Sequence, residues 1–318
     1  MLAVAGERRH NDRTENVSLP GKKDWNVMAD ERISFTSNGL KIAGTVRVPA
    51  GVASGERRPA FMVLHGFGSN MNSNNVLEPC AMLEKLGYVT LRFDMPGCGA
   101  SEGPRGRLIC LDQVTTTSDA LTFLARHPNV EPDRIAAIGS SFGAAVAVYA
   151  GGVDKRVAAV VSSGGWGDGE RKFRGQHTTP EAWAKFTRML QEGRRNPSLM
   201  VPRYDIVPIP EHLRGHLAAG SVQMFPAETA QSMYDFRADD VVGGMAGRPL
   251  LLLHSSVDSV TPTEQSVELF KRAGQPTDLH LFAETDHFMF AESNTRVRTV
   301  LFDWLEKYFP VRVTEKVA

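Results

Sequence analysis

The sequence predicts an α/β fold: a mostly parallel sheet of eight strands with helices on both faces and a helical cap inserted after the sixth strand. Three observations predict it. From Pro59 onward strand-like and helix-like stretches alternate. Strand-like stretches such as 60–64 and 250–253 are wholly apolar, as strands buried on both faces are. The alternation stops between Val161 and Pro249 and then resumes.

The elements follow in order. Residues 32–35 and 40–48 are β-type runs joined by Asn38-Gly39, a dipeptide that favours a tight hairpin, so they open the sheet as antiparallel strands. Strands are then expected at 61–64, 89–93, 134–138 and 157–161, and helices at 75–86, 111–126 and 142–150. Within the interruption, residues 180–192 carry Trp183, Phe186 and Leu190 at helical spacing, and Val207-Pro208-Ile209-Pro210 reads as a connection. So long a stretch is not a plain connection in a compact domain, and about 162–247 is read as a cap lying over the sheet. A strand at 250–253, a helix at 263–273, a strand at 279–282 and an amphipathic helix at 294–309 complete the chain.

The 318 residues are 42% hydrophobic and 23% charged, enough to bury a real core in one large domain. Residues 1–30 form a polar extension of mixed charge, and 31–318 form the domain. Thirty-six basic residues against 36 acidic ones leave no net charge, which argues against a nucleic-acid or anionic-membrane partner. Homo-oligomerisation stays open. Cys80, Cys98 and Cys110 are an odd number without C-x-x-C spacing, so neither a disulfide framework nor a zinc knuckle is expected. With no signal-peptide core and no long apolar run, the expected location is the cytoplasm.

The chemistry centres on Gly139-Ser140-Ser141-Phe142-Gly143, between a strand-like and a helix-like run. A G-x-S-x-G in that place is a nucleophile elbow, which projects its serine above the sheet. His65-Gly66-Phe67-Gly68 follows an earlier strand and reads as the turn that supplies one oxyanion donor. Asp258 lies just past the strand at 250–253, and His287 in the loop after the strand at 279–282. The order serine, aspartate, histidine is that of the fold in which such elbows occur. A hydroxyl needs a base to become a nucleophile, and an imidazole held in one tautomer by a carboxylate provides it. His287 is the expected base and Asp258 its orienter. The backbone N–H groups of Phe67 and Phe142 are the expected oxyanion donors.

These motifs, together with Phe93-Asp94-Met95-Pro96-Gly97-Cys98-Gly99-Ala100-Ser101 and the late Asp286-His287, resemble the α/β-hydrolase superfamily. Within it the chain is similar to capped serine esterases and acyl-aminopeptidase-like hydrolases, over about 31–309. The resemblance implies a serine hydrolase that cleaves a small to medium, uncharged ester through an acyl-Ser141 intermediate, without metal or cofactor. C–C bond hydrolases, amidases or peptidases and lactonases use the same triad, and a receptor without turnover could keep the fold. Ser255 departs from the family's usual glycine after the histidine of the seventh-strand loop.

Rival readings remain at several positions. Asp258 could cap the helix that follows, and Asp286 is an alternative orienter. His65 and His254 are expected to bond loop backbone. His212 and His216 stand four apart without the glutamate of a helical zinc motif, so no metal site is expected. Asp94 is read as a turn residue. Trp166, which follows the sixth strand, is the candidate for the substrate pocket. The aromatic residues of the cap could instead pack on one another as a small core.

Overall fold

Residues 30–290 and 294–312 are described by the structure, a computed structural model; of the polar extension expected at 1–30, all but Asp30 lies outside them. The hairpin is strands β1 (Glu31–Ser37) and β2 (Leu40–Arg47), turned by Asn38 and Gly39, both at positive φ. Strand β3 (Arg58–Leu64) leads to helix α1 (Asn74–Lys85), β4 (Val89–Phe93) to α2 (Cys110–Leu124), and β5 (Val130–Ser140) to α3 (Phe142–Val153). Strand β6 (Val157–Ser163) precedes the inserted segment.

That segment contains α4 (Gly169–Gln176), α5 (Pro180–Arg195), strand β7 (Met200–Pro202), the single turn α6 (Arg203–Ile206), strand β8 (Met224–Pro226) and α7 (Ala227–Asp235), with short 3₁₀ turns between. Strand β9 (Leu250–Ser255), α8 (Glu264–Arg272), β10 (Thr277–Phe282) and α9 (Thr295–Tyr308) complete the domain.

The eight-stranded sheet runs β1-β2-β4-β3-β5-β6-β9-β10, antiparallel only where β2 meets β1 and β4. Side-chain alternation splits the central strands β3, β5, β6 and β9 between two cores. Phe61 and Val63 of β3 pack with α1 and α9 residues on one face, while Ala60, Met62 and Leu64 pack with α2 and α3 on the other. Both faces are therefore apolar, which is why these strands show no polar alternation in sequence. Helix α3 is almost wholly buried, and its small residues (Ala144, Ala145, Ala147, Gly151) let it approach the sheet closely.

The inserted segment shares the second of these cores: Phe173, Phe186, Val201, Phe225 and Met233 are continuous with the α2–α3 layer. The antiparallel pair β7–β8 was not expected from the sequence. Each strand has three residues, one of them proline, too few for a period-two pattern to register.

Candidate active site

Four loops at the carboxyl edge of the parallel strands bring the chemistry together. At the β5–α3 junction Ser141 has φ 56° and ψ −115°, a left-handed backbone that only a tightly held turn imposes on a residue with a side chain. The turn needs its glycines. A Cβ on Gly139 would stand 2.3 Å from the Gly143 carbonyl group, and one on Gly143 would stand 2.5 Å from Leu64 O. Ser141 N donates to Ser163 O of β6 (2.8 Å), which ties the turn to the neighbouring strand. Phe142 is the first residue of α3, where helix geometry leaves an N–H without an intrahelical acceptor.

Asp258 and His287 meet from different loops. The imidazole Nδ1 lies 2.8 Å from Asp258 Oδ2 and 3.0 Å from Oδ1. Asp258 Oδ1 also accepts from the N–H groups of Val260 (2.8 Å) and Thr261 (2.7 Å). Burial alone would raise this carboxyl's pKa, but the His287 charge and the bonds from His254 and His287 outweigh it and hold the group well below the usual carboxylate range. Asp286, the rival, faces elsewhere: it accepts from Ser259 N, Ser259 Oγ and His287 N.

His254 supports Asp258 as well as the loop. Its Nδ1 lies 2.6 Å from Ser266 Oγ, and its Nε2 lies 3.0 Å from Thr261 O and 3.2 Å from Asp258 Oδ2. Both partners of Nε2 are acceptors, so that nitrogen carries the proton. Ser255 has a function that a glycine would lack: its hydroxyl donates to Thr285 O (2.7 Å) and accepts from Val257 N (3.1 Å), linking the Asp258 loop to the His287 loop.

The turn after β3 is held by buried polar groups on two sides. Beneath it, His65 Nε2 accepts from Met95 N (3.0 Å), so Nδ1 bears the hydrogen and donates to Gly66 O (2.8 Å); burial pushes the pKa of this ring down. Asp94 organises the next loop by accepting from Met71 N (2.7 Å) and Ala100 N (2.8 Å).

Above the turn, Arg203 from the inserted segment donates to Phe67 O (2.8 Å), Gly68 O (3.0 Å) and Val222 O (2.8 Å from Nε). Its guanidinium lies 5.4 Å from the ring centroids of both Phe67 and Phe225, which themselves stack at 4.2 Å. Among the described residues it has no carboxylate in ion-pair range. Burial lowers its pKa to about 10, so it stays charged at neutral pH. Arg203→Met would take this donor from the buried carbonyls of Phe67 and Val222, while Gly68 O keeps Val222 N (2.8 Å), and an unfolding free energy lower by about 2 kcal/mol or more is expected in urea titration.

One cavity joins these groups. It is lined by Gly66, Phe67 and Ser141, by His287 and Phe288, by Val207, Ile209 and Leu217 of the inserted segment, and by Arg203 and His216. Four further polar residues, Ser69, Ser73, Asn75 and Ser140, lie along its wall, with Val260 at the Asp258 loop. The structure places Trp166 elsewhere: it is absent from the wall and buried one layer behind the elbow, 5.7 Å from the Phe142 ring and 6.4 Å from the Phe236 ring. The glycine pair after β6 turns the chain inward, and the indole joins the core. Phe173 and Phe186 likewise pack against each other, tilted with ring centroids 4.5 Å apart, rather than on the cavity.

His212 is exposed, 3.4 Å from Asp286. Among the described residues no cluster of three His, Cys, Asp or Glu is arranged to hold a metal ion. All three cysteines are buried and free, each with its pKa pushed up to about 12 by burial.

Behind Trp166 lies a buried lysine. Lys172 Nζ is 2.7 Å from Gln176 Oε1, 4.3 Å from the Phe173 ring centroid and 5.0 Å from that of Trp166. Burial, against a weaker pull from Asp258, lowers its pKa to about 7. A lysine with a lowered folded pKa is destabilising while it must be charged in the unfolded chain. That penalty is full below pH 7 and fades as pH rises from about 7 toward the ordinary lysine value of about 10.4. The melting temperature of Lys172→Met relative to the parent should therefore be highest at pH 7 and below, and the difference should shrink by pH 9.5.

The sheet order, the serine turn and the buried histidine–aspartate pair define an α/β hydrolase. The family described as "Serine aminopeptidase, S33" matches residues 55–294, and the chain belongs to it. Curated relatives include a polyketide transferase of Stachybotrys chlorohalonatus, 36% identical over 140 residues. That match covers 43% of this chain and 45% of the relative, so the chain spans under half of it. A polyketide transferase of a Penicillium species is 24% identical over 276 residues, 80% of this chain and 88% of that one.

Among solved structures, the α/β hydrolase GrgF from Penicillium sp. sh18 superposes with a TM-score of 0.72 at 21% identity, covering 88% of this chain and 99% of that one. Est1E from Butyrivibrio proteoclasticus with bound ferulic acid gives 0.64 at 16% identity, over 86% and 100% of the two chains. At these identities the structural likeness is one of fold. No helix among the described residues is long and apolar enough to cross a membrane.

Proposed function

We propose that the protein is a serine hydrolase that cleaves a carboxylic ester, with Ser141 as nucleophile, His287 as general base and Asp258 as its orienter. The observation that carries this reading is the imidazole bonded through Nδ1 to a buried, ionised Asp258, in the same cavity as a serine on a strained turn. With Nδ1–H committed to the carboxylate, Nε2 is the ring's basic nitrogen. It takes the Ser141 proton as Oγ attacks the ester carbonyl, and the resulting oxyanion is met by the N–H groups of Phe67 and Phe142. Collapse expels the alcohol, which leaves with the proton from His287 Nε2. Water deprotonated at the same nitrogen then releases the acid from acyl-Ser141.

The aliphatic wall of Val207, Ile209 and Leu217 suits an uncharged acyl chain, and among the described residues no carboxylate side chain lines the cavity. Arg203 keeps its charge, but four of its five N–H donors are committed to carbonyls.

A second reading is favoured by the relatives, which include polyketide transferases, a thiohydrolase and an acyltransferase. An acyl-enzyme loaded from an ester or thioester divides between water and an alcohol according to which reaches it. A panel of p-nitrophenyl esters of graded chain length, beside a thioester, an amide and a vinylogous diketone, with and without added alcohols, separates the readings. Ester turnover giving free acid supports hydrolysis; product carrying the added alcohol supports transfer. Turnover of the amide or diketone alone would overturn both.

A further inference from the structure

The cavity wall contains a polar subsite that the ester chemistry does not use. Ser73 is the N-cap residue of α1, yet its hydroxyl makes no capping bond. Serine at this position ordinarily accepts from an N–H of the helix's first turn. Here Oγ is buried, with the residue 3% exposed, and has no partner among the described residues. Asn75, in the first turn of the same twelve-residue helix, is 7% exposed, and its Oδ1 is likewise buried and unpartnered. Both line the cavity beside Ser69 and Ser140, and Ser140 Oγ reaches Asn75 O at 3.4 Å. Buried polar groups are almost always paired, so two unpartnered ones side by side on a cavity wall call for a partner in that cavity.

Resting on the acyl-Ser141 reading, we infer that this corner recognises a hydroxyl group on the acyl half of the substrate. The donor and acceptor count selects the group. Asn75 Oδ1 requires a proton, which a carboxylate or ketone does not carry, while the Ser73 hydroxyl can donate. A substrate hydroxyl gives its proton to Asn75 and accepts from Ser73. It also fits if the amide is turned to present nitrogen, because it then accepts from Asn75 and donates to Ser73. An ammonium group is disfavoured by the positive end of α1, whose first turn has no acidic residue.

Topology assigns the half. The departing oxygen must face His287, which arrives from the β10 side of β5, whereas α1 follows β3 on the other side. The group beside Ser73 and Asn75 therefore belongs to the acyl chain.

The test compares p-nitrophenyl butanoate with its 2-hydroxy and 3-hydroxy analogues on the full chain, with fluorophosphonate labelling of Ser141 run in parallel. A site built to bond a hydroxyl discriminates strongly against the analogue that lacks it, so kcat/KM should favour one hydroxylated ester by at least about tenfold. In Asn75→Leu and in Ser73→Ala that preference should fall to within about threefold, through loss of rate on the hydroxylated ester. Equal rates on all three esters by the parent protein would overturn the subsite while leaving the acyl-serine reading intact, and would mean that water fills the corner. A preference that survives in both variants would also overturn it. Turnover of no ester with Ser141 unlabelled would remove the reading beneath the inference, and the inference with it. The comparison within the parent protein decides even if a variant fails to fold.

Discussion

Ser141→Ala should abolish turnover, with kcat/KM on a responsive p-nitrophenyl ester lower by about 10⁴- to 10⁶-fold, as deletion of an acyl-enzyme nucleophile does. The fold should survive it. The backbone strain at Ser141 belongs to the turn and weighs equally on alanine, since both residues carry a Cβ and neither gains the freedom of glycine. The bonds that hold the turn come from the backbone, through Ser141 N to Ser163 O and through Ala144 N and Ala145 N to Ser141 O. Thermal melts of parent and variant should therefore nearly coincide while activity disappears. Retained activity would mean a different nucleophile, and a collapsed melt would mean that the hydroxyl has a structural role.

Asp258→Asn should lower kcat by about 10⁴ at neutral pH. The carboxylate accepts from His287 Nδ1 with both oxygens, from two backbone N–H groups and from His254. An amide nitrogen at the Oδ1 position takes the acceptor from both backbone N–H groups, whereas at the Oδ2 position it faces His254 Nε2 and requires His287 to accept at Nδ1. The second outcome puts the ring proton on Nε2, where the base must be free. Asp286→Asn should be much milder, because Asp286 accepts from the His287 backbone N–H. Measuring kcat for the two variants on one ester separates the assignments, and a greater loss in Asp286→Asn would reverse them.

The central strands β3, β5, β6 and β9 were legible because each is buried on both faces and carries an unbroken apolar run. The elbow was legible because Gly139 and Gly143 leave no room for a side chain. Ser141, Asp258 and His287 stood out as candidates because each closely follows a strand in the order this fold imposes.

The inserted segment was less legible for a physical reason. Val207, Ile209 and Leu217, which wall the cavity, lie in proline-punctuated loops and 3₁₀ turns without a period. Trp166 drew attention by size and position, yet a large ring just after a central strand is as readily taken by the core. Arg203 gave no signal, since its partners are carbonyls far along the chain and carbonyls are invisible in a sequence. His254 offered one in retrospect: it stands four residues before Asp258 across the turn that brings them together.

The most direct measurement is peptide mapping after treatment with a fluorophosphonate, which reports the activated nucleophile without knowledge of the substrate. The expected result is a single phosphonylated peptide carrying the adduct on Ser141, lost in Ser141→Ala and strongly slowed in Asp258→Asn. Folded parent protein that stays unmodified, or an adduct on another residue that persists in Ser141→Ala, would contradict the acyl-serine account.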